Sequence, residues 1–320
     1  MTPPSEPLPP EARALDHDGR PLVALSAQRA VGAVADSGPA LPPRPLRPRG
    51  VGEMLDEGLE LLREDLPRLV GIASLVWFPA RLLVALVGVL DPATLIEGRW
   101  GEWMAGVGLS SLGSIFAQTL ATAFVAVVVA ARIQGDRPPL RRTILLVVRK
   151  LPLLLLLVFV VALSTGIAMT CLIVPGLILA WRLQLVAFVP VLEGAGFSDS
   201  FRRSWSLTRE SFLRWFGLFA LMSLLTSPVS IAQAAPYDPN VRRWLLEETG
   251  LSTLTVELIF VPLTTLFAGL AAAYTGAVFA LYYVDQRVRR EGLDLEVRFG
   301  ELSRGASHRA PVADSRGGPA

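Results

Sequence analysis

The longest apolar pattern in the chain lies at residues 151–192, where Arg182 is the single charged residue. A helix needs roughly 20 apolar residues to cross a bilayer, and this run is about twice as long. As one helix it would extend about 60 Å, so the chain must turn back within it. Residues 164–171 contain the small and polar side chains at which we place the turn. The pattern therefore predicts two membrane spans, at residues 151–168 and 173–192.

Further apolar segments have the length of a span, and they alternate with shorter amphipathic stretches. We predict the additional spans at residues 68–90, 109–131, 214–234 and 254–283. The amphipathic stretches begin near Val51, Leu140 and Phe197, where apolar residues recur every three to four positions. The predicted fold class is therefore all-α: a polytopic membrane helix bundle with six transmembrane helices and three cytoplasmic amphipathic surface helices.

The surface helices are expected to lie in the membrane interface, with apolar side chains toward lipid and charged ones toward water. In the first, Met54 and Leu62 share one face opposite acidic residues. In the third, Phe201 and Trp205 share one face opposite arginines, and Ser198 and Asp199 are the expected N-terminal caps.

The composition agrees with a membrane protein, because 52% of the 320 residues are hydrophobic and only 18% are charged. Apolar periodicity is weak at both ends of the chain, where proline and small polar residues are frequent. We therefore predict a disordered Pro-rich cytoplasmic tail at residues 1–48, a six-helix membrane domain at 49–299 and a disordered cytoplasmic tail at 300–320.

The positions of the basic residues predict the orientation. Lys150 is the only lysine among the 30 basic residues, and the connection at residues 132–150 holds six of them against the single acid Asp136. Cytoplasmic flanks of spans carry an excess of Arg and Lys, so this connection should face the cytoplasm. We predict a multi-pass protein of the bacterial inner (cytoplasmic) membrane with both termini in the cytoplasm.

Two of the surface helices, together with the spans that follow, are related by a shift of 146 positions. Residues 51–75 placed on 197–221 share six identities, including an Arg-Glu pair and a glycine. The identical pairs are Leu61/Leu207, Arg63/Arg209, Glu64/Glu210, Arg68/Arg214, Gly71/Gly217 and Leu75/Leu221. The match predicts an internal repeat, in which each unit is a surface helix followed by a span out and a span back.

Several motifs together resemble the bacterial glycerophosphoryl diester phosphodiesterase membrane-domain family. They lie at residues 46–56, 173–176, 191–194, 203–209 and in the ending Tyr-Tyr-Val-Asp-Gln-Arg at 282–287. The resemblance covers roughly residues 47–299 and implies the membrane architecture. In the proteins that give the family its name, a soluble phosphodiesterase domain is joined to such a membrane domain. We expect that catalytic domain to be lacking here, so the resemblance implies no activity.

Polar residues within predicted spans are candidates for an intramembrane site, because a charge at the bilayer centre is costly unless it faces protein or water. The candidates are Arg81, Arg182, Gln184 and Gln118. The two arginines could bind an anion or a headgroup, or could pair structurally with backbone carbonyls and polar neighbours.

A second candidate is a cytoplasmic surface for anionic lipid headgroups or a membrane protein partner, since basic residues beside a membrane attract anionic lipids. It comprises Arg202, Arg203, Arg209, Arg287, Arg289 and Arg290, although arginines also flank spans without a specific role. Glu193 is expected to be a structural latch that pairs with Arg202 or Arg203 at the start of the third surface helix.

We predict that the chain is not an enzyme and binds no cofactor, metal or nucleic acid. No histidine lies near a span, no paired carboxylates lie within one, and no phosphate-binding loop or nucleophile elbow is present. The preferred function is a non-catalytic integral inner-membrane protein that organises partners or lipids at the cytoplasmic face of the lipid bilayer. The alternative is a small transporter or channel for an anionic or lipid-like solute, with Arg81 and Arg182 around one cavity.

Overall fold

The structure is a computed structural model that describes residues 44–90, 100–235 and 238–293, and the regular elements in these ranges are all helices. Most of the two predicted tails lies outside the described residues. The helices, in chain order, are α1 (Val51–Glu64), α2 (Leu66–Leu90), α3 (Trp100–Ile133), α4 (Leu140–Cys171), α5 (Ile173–Leu183), α6 (Phe188–Leu192), α7 (Phe197–Leu207), α8 (Phe212–Ala234), α9 (Pro239–Thr249) and α10 (Thr253–Glu291).

Six helical segments in the described ranges are long and apolar enough to cross a membrane: α2, α3, α4, α5 with α6, α8 and α10. The chain therefore folds as an all-α bundle, as its sequence pattern predicts. Apolar side chains point outward along the peripheral helices, for example Leu163, which is 53% exposed, and Leu224, which is 69% exposed. Such exposure suits lipid rather than water as the surrounding medium.

α10 is the central helix of the bundle and packs against α2 and α3, as well as α1 and α8. Small residues let its neighbours approach closely. A methyl group at Gly269 would lie 2.8 Å from the backbone nitrogen of Ser74 in α2, and one at Gly276 would lie 2.8 Å from Cβ of Val125 in α3. With 39 residues, α10 is about 58 Å long, so it extends beyond a bilayer about 30 Å thick.

The third and fourth spans form a hairpin whose turn is a single residue. α4 continues through Cys171, beyond the turn predicted at residues 164–171, and Leu172 alone adopts an extended backbone before α5 begins. Gly176 makes this sharp reversal possible, because a side chain there would lie 2.7 Å from the backbone of Met169. The turn therefore depends on a close helix contact rather than on the polar residues of the preceding turn.

The fourth span is interrupted at residues 184–187, between α5 and α6. Pro190 has no N–H to donate to the carbonyl of Val186, so regular α-helical bonding cannot pass through this point. Bonds to the third preceding residue replace it, from Val186 to Leu183 and from Phe188 to Leu185, each at 3.1 Å. The predicted continuous span is therefore two helices joined by a tight turn.

The three predicted surface helices differ from one another in the structure. α1 packs its apolar face on protein rather than lipid, and Met54 and Leu61 are almost completely buried. The second is not separate, because α4 runs without a break from Leu140 into the span. The third is α7, a separate helix that begins at Phe197 and ends at Leu207.

The N-terminal cap of α7 also differs from the prediction. Its cap residue is Gly196, and no side chain caps the helix. Asp199 instead forms an ion pair with Arg202 at 2.7 Å, one turn farther along. The segment before α1 contacts the bundle, since the backbone N–H of Arg44 donates to the carbonyl of Ile133 at 2.9 Å.

Candidate functional site at the arginine-rich end of the bundle

One end of the bundle collects most of the ion pairs of the described residues, and we call it the arginine-rich end. It is formed by residues 44–50, α1, the connection after α3, α7 and the last two turns of α10. The ending of α10 divides its side chains between two sides of the helix. Tyr283 and Arg287 are one turn apart on one side, and Asp285 and Arg289 are one turn apart on another.

Glu193, directly after α6, is the centre of the first ion cluster. Its side chain is 1% exposed and accepts three hydrogen bonds from Arg203 of α7 at 2.9–3.2 Å. The hydroxyl of Tyr283 also donates to it, and the guanidinium of Arg287 lies 3.5 Å away. Arg203 donates further to Glu291 at 2.7 Å. This Glu193 cluster joins α6, α7 and α10.

Asp285 is the centre of a second cluster and is fully buried. The backbone N–H of Arg49 donates to it at 2.7 Å, Arg214 at the start of α8 lies 2.9 Å away, and Arg289 donates at 3.1 and 3.2 Å. Glu57 of α1 accepts a hydrogen bond from Arg49 at 3.1 Å and supplies a second negative charge. This Asp285 cluster joins the segment before α1 to α8 and α10.

A third cluster lies where α1 meets α2. Asp65, between the two helices, pairs with Arg137 at 2.7 Å and Arg132 at 3.3 Å. Glu64 pairs with Arg44 at 2.8 Å and also with Arg132. Because a buried charge is stable only when it is paired and hydrogen-bonded, these clusters hold the helix ends in defined positions.

The acidic partners keep the buried arginines of this end charged. Burial by itself would lower the pKa of Arg203, but its hydrogen bonds to Glu193 and Glu291 raise that pKa above its ordinary value. Burial likewise opposes the charge of Arg44, and the hydrogen bond to Glu60 with the neighbouring carboxylates raises its pKa. Glu53 lies at the start of α1, where the N–H of Gly50 and then Arg47 lower its pKa.

An open cleft of about 830 Å³ lies between α7 and the end of α10. Four arginines line it: Arg182, Arg202, Arg209 and Arg290. Phe201 and Trp205 supply an apolar wall, and the lining carboxylate of Glu291 is already bound within the Glu193 cluster. The turn between α7 and α8 closes one side of the cleft, with Glu210 in a left-handed conformation at φ 61°.

The guanidinium of Arg182, which lines the cleft, is held between two indole rings. It lies 4.2 Å from the ring of Trp181 and 4.8 Å from that of Trp205, and it donates to the carbonyl of Trp205 at 3.2 Å. Ser204 in turn donates to the carbonyl of Arg182 at 2.7 Å. Although Arg182 is near the middle of the fourth span by count, the break after α5 brings it to α7.

Arg81 has a separate environment. It donates to the side chain of Gln233 at 2.7 Å and lies 5.2 Å from the ring of Trp77. Gln233, the partner of Arg81, lies at the end of α8. Trp205, the partner of Arg182, lies in α7, before the start of α8. Since α8 is about 35 Å long, Arg81 and Arg182 lie near opposite ends of the bundle. The structure therefore does not bring the two predicted intramembrane arginines together.

The two predicted intramembrane glutamines are each half-buried. Gln184 is half-buried at the break between α5 and α6, and its N–H donates to the carbonyl of Trp181 at 3.5 Å. Gln118 is half-buried in α3. The predicted site of Arg81, Arg182, Gln184 and Gln118 is therefore not one constellation.

The six arginines of the predicted lipid or partner surface fall into two groups. Arg203, which is half-buried, and Arg287, which is buried, belong to the Glu193 cluster, so the structure selects Arg203 rather than Arg202 as the partner of Glu193. The other four reach the surface while paired with acids: Arg202 with Asp199, Arg209 and Arg290 with Glu210, and Arg289 with Asp285.

The central roles of Asp285 and Tyr283 are not apparent from residue type, because each lies in a segment that reads as an ordinary span end. Their spacing of four residues from Arg289 and Arg287 is the signal that could have identified them. Arg49 and Arg214 gave no local signal, since their partner Asp285 is distant in the sequence. Within the described ranges, no group of three or more metal-binding side chains is assembled.

In a comparison with known families, residues 139–285 match a domain of unknown function, DUF7847. The matched region is less than half of the chain and runs from the residue before α4 to Asp285 in α10. It includes Glu193, Arg203 and most of the cleft. No curated protein and no solved structure matches the chain.

Proposed function

We propose that the protein is a non-catalytic, multi-pass protein of the bacterial inner membrane that organises lipids or membrane protein partners at its arginine-rich end. In this proposal both termini and the arginine-rich end face the cytoplasm, because arginines flank spans on that side. The observation that carries the proposal is the structure of α7. Its Glu193 cluster fixes the helix to the bundle, while Arg202 and Trp205 remain 66% and 50% exposed on it.

The packing of the bundle supports an organising role over a transport role. A path for an anion would need Arg81 and Arg182 near one cavity, and their partners lie near opposite ends of α8. The centre of the bundle is filled by α10, whose Ala272 and Ala277 are fully buried. We retain the resemblance to phosphodiesterase membrane domains as a proposal about architecture alone.

The organising role can be tested on membrane patches extracted with polymer, without detergent. We expect the lipid shell of the full-length protein to be enriched in anionic lipid over the bulk membrane, or to contain a stoichiometric protein partner. We also expect no flux of anionic solutes in proteoliposomes. Two results would contradict the proposal. One is a lipid shell with the composition of the bulk membrane and no stoichiometric protein partner, and the other is a flux of anionic solutes that Arg182→Gln abolishes.

The orientation has a direct test because Cys171 is the only cysteine and is exposed at the turn after α4. We expect a membrane-impermeant maleimide to label Cys171 in intact spheroplasts. In the matched variant Cys171→Ser/Ser315→Cys, the label should reach the C-terminal segment only after lysis. The reverse pattern would invert the proposed topology.

A further inference from the structure

We propose that the cleft between α7 and the end of α10 is a binding site for the headgroup of an anionic phospholipid, with Arg202, Arg209 and Arg290 contacting the phosphate. This inference deepens the proposed function by assigning the ligand class and the residues that would bind it. It stands on the geometry of the cleft, the state of its arginines and its position beside the lipid-facing surface.

The cleft has the size and chemistry of a ligand site. Its volume of about 830 Å³ lies within the range of roughly 300–1,000 Å³ that is common for small-molecule pockets. Four arginines line it against one carboxylate, that of Glu291, which Arg203 and Arg287 already neutralise. The guanidinium group offers paired N–H donors that match phosphate oxygens, so this lining favours a phosphate over a neutral ligand.

The arginines that would contact the phosphate are held by exchangeable pairs. Arg202 pairs with Asp199 where both side chains are more than half exposed, and Arg209 lies 3.5 Å from Glu210 with both about 70% exposed. Arg290 is 3.7 Å from the same Glu210. Exposed ion pairs of this kind contribute little to stability, so a phosphate can replace the carboxylates without loss of the fold.

Arg182 gives the cleft a fixed positive wall. Its guanidinium is held by the rings of Trp181 and Trp205 and by one carbonyl, and none of its contacts in the described residues is a carboxylate. It therefore adds positive charge to the cleft without a matched acid. The Glu193 cluster fixes the adjoining residue Arg203, so the α7 wall keeps its position whether or not a ligand is bound.

The position of the cleft favours a lipid over a free phosphate compound. Trp205, a wall residue, is 50% exposed, and Phe197 is 36% exposed two turns earlier on α7. Leu213, four residues after Arg209, is 82% exposed at the start of the apolar surface of α8. Tryptophan beside an apolar surface is typical of the headgroup level of a bilayer, so a headgroup in the cleft can keep its acyl chains in the membrane.

The test uses the full-length protein in phosphatidylcholine nanodiscs, titrated with dihexanoyl phosphatidylglycerol and read by native mass spectrometry. We expect saturable binding of one lipid and affinity on the order of 20-fold lower for Arg202→Gln/Arg209→Gln, about fivefold for each lost charge. The matched control Arg63→Gln/Arg149→Gln removes two exposed arginines outside the cleft and should bind within about twofold of wild type.

Additional measurements identify the source of the phosphate and distinguish loss of binding from misfolding. Arg202→Lys/Arg209→Lys retains the charge and should keep most of the affinity, whereas an equal loss in the Lys and Gln variants would overturn recognition by charge. Glycerol 3-phosphate should bind far more weakly than the lipid, and equal affinity would overturn the lipid assignment. If phosphatidylglycerol binds the Gln variant as well as wild type while anionic lipid stays enriched around the protein, the cleft inference fails and the proposed organising function stands.

Discussion

Residues 51–75 and 197–221 have a common sequence pattern but different surroundings in the bundle. Under the 146-residue shift, the same positions of α1 and α7 are buried, so both helices turn the equivalent face inward. The buried pairs are Met54 and Ser200, Gly58 and Ser204, and Leu61 and Leu207. The following helices also begin at equivalent residues, Leu66 and Phe212.

The chemistry of the inward face separates the two helices. α1 packs through apolar residues, and Gly58 lets it approach Val278 of α10 so closely that a methyl group would lie 2.7 Å from Cγ2 of that valine. α7 buries hydroxyls instead: Ser200 donates to the carbonyl of Gly196 and Ser204 to that of Arg182, each at 2.7 Å. The hydrogen bonds offset the burial of the serines. Phe197 and Trp205 of α7 are exposed, at 36% and 50%.

The spans that follow diverge in the same way. Val70 and Ala73 of α2 are buried, while Phe216 and Phe219 at the equivalent positions of α8 are 45% and 42% exposed. Small side chains let α2 pack on protein along two faces, whereas the phenylalanines of α8 extend toward lipid. In both regions the amphipathic period identifies the face of the helix that points inward. The volume of the side chains on the neighbouring face determines whether protein or lipid covers that face.

One contact supports the predicted internal repeat independently of burial. Arg68 and Arg214 are an identical pair under the shift, and each donates to a backbone carbonyl two residues before another helix. Arg68 binds the carbonyl of Pro138 before α4, and Arg214 binds that of Arg49 before α1. Equivalent arginines thus link the start of one span to the segment before another helix.

The largest difference between α7 and α1 should follow from Glu193→Gln. This substitution removes the carboxylate that anchors α7 to the bundle, and α1 has no equivalent anchor. Breaking one partner of a buried ion pair costs about 3–5 kcal/mol, because the remaining charges lose their compensation. We expect hydrogen exchange to accelerate in residues 197–207 but not in 51–64. Glu60→Gln on α1, where the side chain is 62% exposed, is the control and should change little. Unaltered protection of α7 in Glu193→Gln would disprove the latch role.

A smaller effect is expected from Gly58→Val, which tests whether α1 depends on close approach to α10. Overpacking a tight contact costs about 1–3 kcal/mol, which should appear as a lower unfolding midpoint in detergent micelles. Gly52→Ala on the same helix is the control, because a methyl group there meets open space. A Gly58→Val protein as stable as wild type would show that the α1 contact is not tightly packed.

The smallest effect is expected from Phe219→Ala in α8, at less than about 1 kcal/mol. The ring stacks on Trp215 at 5.5 Å but is partly exposed, so lipid can occupy most of the vacated volume. Trp215→Ala, which removes a side chain that is 2% exposed, should cost about 3–5 kcal/mol in the same unfolding assay. Equal losses from the two variants would mean that α8 is covered by protein on both faces.

The sequence was sufficient for the features that depend on local composition. Runs of apolar residues predicted the six spans. The position of Glu193 predicted a pair with Arg202 or Arg203, and the structure shows the pair with Arg203. It could not predict the clusters around Asp285 and Asp65, because their arginines come from separate segments that only the packing of α10, α2 and α3 brings together. The packing of α1 on protein was not predicted for a similar reason, because the amphipathic period is the same in a lipid-facing and a protein-facing helix.

The single-residue turn at Leu172 also bears on how the protein enters the membrane. With no loop between α4 and α5, and with Gly176 against the backbone of Met169, the two helices are held in close contact at the turn. We therefore expect residues 140–192 to leave the insertion machinery together, as a preformed hairpin.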